Sequence, residues 1–168
     1  CLQLGIDRLN AKQAEDALEF FEKALATPEN LGEAYHLHQA KADVHYWQGK
    51  ACKTLGHLAK AENNFRCAAE ESGDFESMAV TEFSELTFYR GLSLIELDKV
   101  SEARRLFQAM AEYADTLQEQ PAVIDYFATS LPNLLVFEED LESAKKSNAR
   151  NLLRLAKKGL QQTGSVAV

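Results

Sequence analysis

The chain has 168 residues, 46% hydrophobic and 26% charged, with 3 Pro and 8 Gly; this balance fits one folded domain that buries roughly 70% of its unfolded surface, and excludes collagen-like or largely disordered chains. The 18 Lys and Arg against 26 Asp and Glu leave a formal charge of −8, which argues against a nonspecific grip on phosphate backbones and so against nucleic acid as a partner. Cys1, Cys52 and Cys67 are odd in number and lack C-x-x-C spacing, fitting neither a disulfide framework nor a cysteine-rich zinc module, so a reducing, cytoplasmic setting is expected.

Helical periodicity is already running at Leu2, Ile6 and Leu9, with no Met and no basic leader ahead of it, and the chain is expected to be a piece of a longer protein. Apolar spacing predicts helices near 1–10, 14–26, 31–55, 58–72, 76–97, 101–118, 121–128 and 140–162. The third and fifth of these contain no Pro and carry Ala34, Leu37, Lys41 and Val44, or Phe83, Leu86, Arg90 and Leu94, at mixed three and four spacing. Each is read as one long helix, the alternative being a break near Asp43 or Thr81. Ser72, Gly73 and Asp74 punctuate one turn, and residues 98–101 another, with Ser101 as N-cap and Glu102 in the first turn. Residues 121–140 read as an apolar connector; Asp125, Pro121 and Pro132 interrupt it, so it is no continuous membrane span. A last helix over 141–164, ending at Gly164, reads as a cap or half-repeat, followed by a tail over 165–168.

One pattern occurs three times: Gly, then Ala twelve positions on, then Phe four positions later. The copies are Gly5, Ala17, Phe21; Gly49, Ala61, Phe65; and Gly91, Ala103, Phe107, spaced by 44 and 42 residues. Ala24, Ala68 and Met110 follow each Phe by three positions. Gly and Ala are the residue types required where two helices cross most closely, and Phe fills the space beyond.

These residues resemble the tetratricopeptide repeat, in which a Leu-Gly pair on a first helix is followed by Ala and Phe on a second, antiparallel helix, Leu4-Gly5 with Ala17, Phe21 and Ala24 being the best match. The chain departs from the pattern at Gln48 and Arg90 before the later glycines, at Arg8, Cys52 and Leu94 where an aromatic is usual, and in its longer period. The resemblance implies an all-α fold: a right-handed α-solenoid of antiparallel helix pairs with three repeats near 1–30, 31–75 and 76–120, and a capping helix. The stretch from Tyr89-Arg90-Gly91-Leu92 through the connector also resembles the C-terminal region of long bacterial proteins that join a β-rich domain of unknown function to such repeats.

Candidate chemistry is sparse. His36, His38, His45, His57 and Cys52 include a spacing of seven on one predicted helix, about 10 Å between successive members, too far to share one zinc ion. Glu70-Glu71 and Glu138-Glu139-Asp140 lack a nucleophile or phosphate loop beside them, and Ser130 lacks the elbow glycines. No catalytic residue, cofactor or metal is assigned. Lys145, Lys146, Arg150, Arg154, Lys157 and Lys158 read as the solvated outer face of a capping helix in preference to a membrane-surface or acidic-partner contact.

In tetratricopeptide proteins the first helices line the concave face; the resemblance places Ile6, Asp43, Tyr46, Lys50, Lys53, Phe88, Leu92 and Ile95 there, beside Leu2, Leu9 and Glu85. The lysines and asparagine with which some family members clamp a carboxylate terminus have no counterparts here. The implied function is a scaffold binding a peptide or helix of a protein partner, or another domain of the same chain, in the groove. The alternatives are a helical accessory or dimerisation region of a larger bacterial protein, including a carbohydrate-active one, and a small-ligand pocket around Tyr46 and Trp47. The apolar strip is equally readable as core, and a homodimer through exposed end faces stays open.

Overall fold

The computed structural model describes residues 1–26, 41–71, 74–76, 79–120 and 141–165. Among them, in chain order, are α1 (Leu2–Asn10), α2 (Ala14–Leu25), α3 (Ala42–Thr54), α4 (Leu58–Glu70), β1 (Asp74–Glu76), β2 (Ala79–Thr81), α5 (Glu85–Glu96), α6 (Val100–Glu119) and α7 (Leu141–Ser165). The fold is mainly helical; β1 and β2 form one short antiparallel pair with Phe75 opposite Val80. The predicted connector, the helix near 121–128 and the tail from 166 onward lie outside the described residues.

Three helix pairs share one construction. Ala17 and Phe21 of α2, Ala61 and Phe65 of α4, and Ala103 and Phe107 of α6 are buried, while the intervening Glu19, Glu62, Asn63, Arg104 and Arg105 face solvent, the pattern of an amphipathic helix. In each pair the glycine of the preceding helix lies against the Phe: a Cβ on Gly5, Gly49 or Gly91 would come inside 3.0 Å of the ring of Phe21, Phe65 or Phe107. The sequence triplet is therefore a packing contact repeated three times.

The turns within the pairs repeat as well. Seven residues after each glycine stands a residue with left-handed backbone: Lys12 at φ 64, Gly56 at φ 77 and Asp98 at φ 60. The N–H of the next residue donates to the carbonyl five positions back, Gln13 to Arg8, His57 to Cys52 and Lys99 to Leu94, each at 2.9 Å. This satisfies carbonyls that the end of a helix leaves without partners.

Two predicted helices are corrected. Lys41 has φ −130 and ψ 34, so α3 starts at Ala42 and no single helix runs from 31 to 55; residues 31–40 lie outside the described set. The predicted helix over 76–97 is replaced by β1, β2 and a later start at Glu85. Ser84 causes that start: its side chain accepts the Leu86 N–H at 3.0 Å, and Thr87 Oγ1 accepts the Ser84 N–H at 3.1 Å, a reciprocal cap that fixes the first turn. Just upstream, the β-branched Val80 and Thr81 favour extended backbone. At the other end, α7 runs through Gly164 to Ser165 instead of stopping at the glycine.

Each helix packs on the next within the pairs, and α1, α3, α5 and α7 also touch in succession. The core has two parts. Ala17, Phe21, Val44 and Ala51 form the smaller; Tyr46, Phe65, Phe88, Leu92, Phe107 and Leu152 belong to the larger. Leu18 and Trp47 pack against both.

Candidate binding face

The row α1, α3, α5 carries all eight residues of the expected groove, and the structure divides them by chemistry. Tyr46, Phe88 and Leu92 are only 8%, 5% and 6% exposed and belong to the larger core, where Phe88 sits 6.0 Å from Phe107 between ring centroids. Ile6 is half-buried against the smaller core and Ile95 against the larger. The continuous apolar strip is thus mostly interior. Adjacent helical positions point about 100° apart, so a one-position difference in facing moves a side chain from groove to core.

Beside Tyr46, the ring of Tyr89 lies at 5.7 Å and that of Trp47 at 5.3 Å, edge-on. Burial, together with the nearby Glu96 carboxylate, pushes the Tyr46 phenol up to about 12. Burial also raises Tyr89, with the Trp47 indole acting in the opposite direction.

The polar members form a separate feature. Lys50 Nζ lies 2.8 Å from Glu96 Oε1 and Lys53 Nζ 2.7 Å from Glu96 Oε2, so one carboxylate of α5 holds two ammonium groups of α3. Burial pushes the Glu96 carboxyl up, but the two lysines outweigh it and hold the group below its ordinary value. The geometry of the lysines, three apart on one helix, puts both on the same side of α3. Sequence reasoning missed Glu96, whose partners stand 46 and 43 residues away. Asp43 is half-buried at the start of α3, where its Oδ1 accepts the Val44 N–H at 2.8 Å; burial raises its pKa, partly offset by that bond.

A concavity of about 340 Å³ adjoins the ion-pair group between α4 and the end of α5, lined by Lys53, Leu58, Phe65, Glu96 and Leu97 among others. Leu58 at its mouth is 66% exposed. Tyr46 and Trp47 do not line it.

The weighed metal and acid candidates are dispersed. His45 Nε2 lies 3.6 Å from Glu71 Oε1, Cys52 is buried with its thiol pushed up by burial, and His57 is exposed at the N-cap of α4. Among the described residues no three His, Cys, Asp or Glu side chains stand close enough to hold a metal ion. His36, His38, Ser130 and the group Glu138, Glu139 and Asp140 lie outside the described residues. Among the described residues, no helix is long and apolar enough to cross a membrane.

No family model matches this chain. No solved structure matches it either.

Proposed function

We propose that the chain is a protein-interaction scaffold of the tetratricopeptide type, a right-handed α-solenoid in the cytoplasm whose face formed by α1, α3 and α5 receives a peptide or helix. The observation that supports this reading is the threefold repetition of the Gly to Phe contact and of the left-handed turn seven residues after each glycine. Helix pairs built on one plan and stacked in order offer an extended surface for a partner. With Tyr46, Phe88 and Leu92 in the core, contact falls on Ile6, Asp43, Lys50, Lys53 and Ile95. These residues suit a segment bearing both carboxylates and apolar side chains, from another protein or from another domain of the same chain. The reading assigns the chain no catalytic step and no cofactor.

A photo-crosslinking amino acid placed singly at Ile6, Asp43, Lys53 and Ile95, with Lys60 and Gln108 as controls on the second helices of their pairs, tests it in cell extract. Crosslinks to a common partner from the first four sites and not from the controls support the groove. Equal capture at all six sites, or none at the first four, removes it.

The interior position of Tyr46, Phe88 and Leu92 also favours a second reading, in which the chain is a helical accessory or dimerisation region of a larger bacterial protein and the row of odd-numbered helices is mainly structural.

A further inference from the structure

We infer that α7 of one copy docks on α2 of a second copy through two opposite charge stripes. Helix α7 carries Lys145, Lys146, Arg150, Arg154, Lys157 and Lys158 against a single carboxylate, Glu142, in a chain of net charge −8. Its inner face is committed: Ala149, Leu152, Leu155 and Ala156 are buried, and Lys158 reaches back to lie 5.5 Å from the centre of the Phe88 ring. Arg150, Arg154 and Lys157 point the other way and are exposed, around a shallow concavity of about 420 Å³ floored by Leu153. Among the described residues no carboxylate pairs with any of the three.

The complementary surface is at the other end of the chain. Helix α2 exposes Glu15, Glu19 and Glu22, with Asp16 beside them, opposite the buried Ala14, Ala17 and Phe21. Among the described residues no cation pairs with these carboxylates either. Both stripes follow the same spacing, four residues and then three, so each covers about 10 Å of one helical face at 1.5 Å per residue. Laid side by side, the two helices bring each cation to one carboxylate. Within one copy the stripes belong to the first helix pair and to the last helix, with different neighbours, since α2 packs on α1 and α3, and α7 on α6 and α5.

A second copy fits α7 better than the other anionic partners. A polyanion such as nucleic acid meets the repulsion of the acidic chain along its whole length, whereas a second copy, of net charge −8 itself, offsets that repulsion with three carboxylates in register with the three cations. A lipid surface needs apolar anchors, and this face offers Leu153 alone, half-buried. The contact joins unlike faces, so it either closes a two-fold dimer that uses it twice or runs head to tail. Exposed ion pairs are individually weak and screened by salt, so the association is concentration-dependent and confined to low ionic strength.

Sedimentation of the whole chain between about 0.01 M and about 1 M salt, where the screening length falls from about 30 Å to about 3 Å, reads this directly. The expected result is a mass that rises with protein concentration at low salt and returns to the monomer at high salt. A variant with Arg150→Glu, Arg154→Glu and Lys157→Glu, and another with Glu15→Lys, Glu19→Lys and Glu22→Lys, each stay monomeric alone and associate when mixed. All six positions are exposed, and circular dichroism verifies that both variants fold. A monomeric wild type at low salt, association that persists at high salt, or no association in the mixture overturns the proposal.

Discussion

Gly159 of α7 and Gly91 of α5 both meet the Phe107 ring of α6 at the same atoms, since a Cβ on either glycine would come inside 3.0 Å of the Phe107 Cε1 and Cζ atoms. Phe107 is wholly buried and so has no room to turn away. One ring thereby sets the distance of two helices from α6, one from its own pair and one that follows residues 121–140. Residues far apart in sequence are fixed to each other by the absence of two side chains.

Replacing Gly159 with alanine is expected to destabilise the fold. Alanine gains up to about 1 kcal/mol in helix propensity, but crowding a packed core costs typically about 1–3 kcal/mol. Gly164, on the same helix, has nothing within 4 Å of a built Cβ, so Gly164→Ala is the matched control and should be neutral or slightly stabilising. Urea unfolding of the two variants measures the difference; equal midpoints would show that α7 shifts freely and that the contact does not hold it.

Lys12→Gly and Asp98→Gly should each stabilise the chain. A Cβ in left-handed backbone costs roughly 1–2 kcal/mol, against roughly 0.5–1 kcal/mol for glycine's extra freedom when unfolded. The net expectation is a gain of about 0.5–1 kcal/mol at each site, with Gly56→Ala losing a similar amount. Thermal melting reads all three. A loss on Lys12→Gly would mean that the lysine side chain contributes more than its backbone strain removes.

The Glu96 carboxylate predicts a non-additive cycle. Lys50→Ala or Lys53→Ala alone leaves the other ammonium in place and should cost about 0.2–1 kcal/mol. Removing both strands a carboxylate whose side chain is only 15% exposed, and the loss should exceed the sum of the single effects. Strict additivity in chemical denaturation would show that the two lysines act independently of their shared partner.

Tyr46 gives the fold an alkaline limit. Its folded pKa stands at about 12 against an ordinary 10.0, so its contribution to stability is complete below pH 10 and is lost as pH rises toward 12. Tyr89 and Tyr113 shift in the same direction. Stability followed from neutral to strongly alkaline pH should fall through this window, less steeply in Tyr46→Phe than in the wild type. Glu96 works at the acid end with the opposite sign: its lowered pKa contributes stability above 4.5 that disappears as the carboxylate is protonated. An alkaline limb unchanged by Tyr46→Phe would place the sensitive group elsewhere.

The sequence carried the repeated pair because its signal is steric: only small residues fit at Gly5, Gly49 and Gly91 against a Phe, and such positions leave a composition trace. The turns were less visible, because Lys12 and Asp98 occupy left-handed positions that glycine marks only once, at Gly56. The helix start at Ser84 was hidden by an apolar periodicity that continues upstream of the cap, through Phe83. The binding face was the least legible part. Tyr46, Phe88 and Leu92 have the composition of a groove or of a core, and only the positions of Phe65, Phe107 and Leu152 decide between them.

Trp47 is the only tryptophan in the chain, and it packs against both parts of the core. Its indole therefore sits at the seam where the α1 and α2 pair joins everything that follows. Tryptophan emission from the unmodified chain, excited where the five tyrosines do not absorb, reports on that seam, so peeling of the first pair is optically separable from collapse of the helices beyond it. The molecule carries its own gauge of whether its N-terminal end and its body melt as one unit or two.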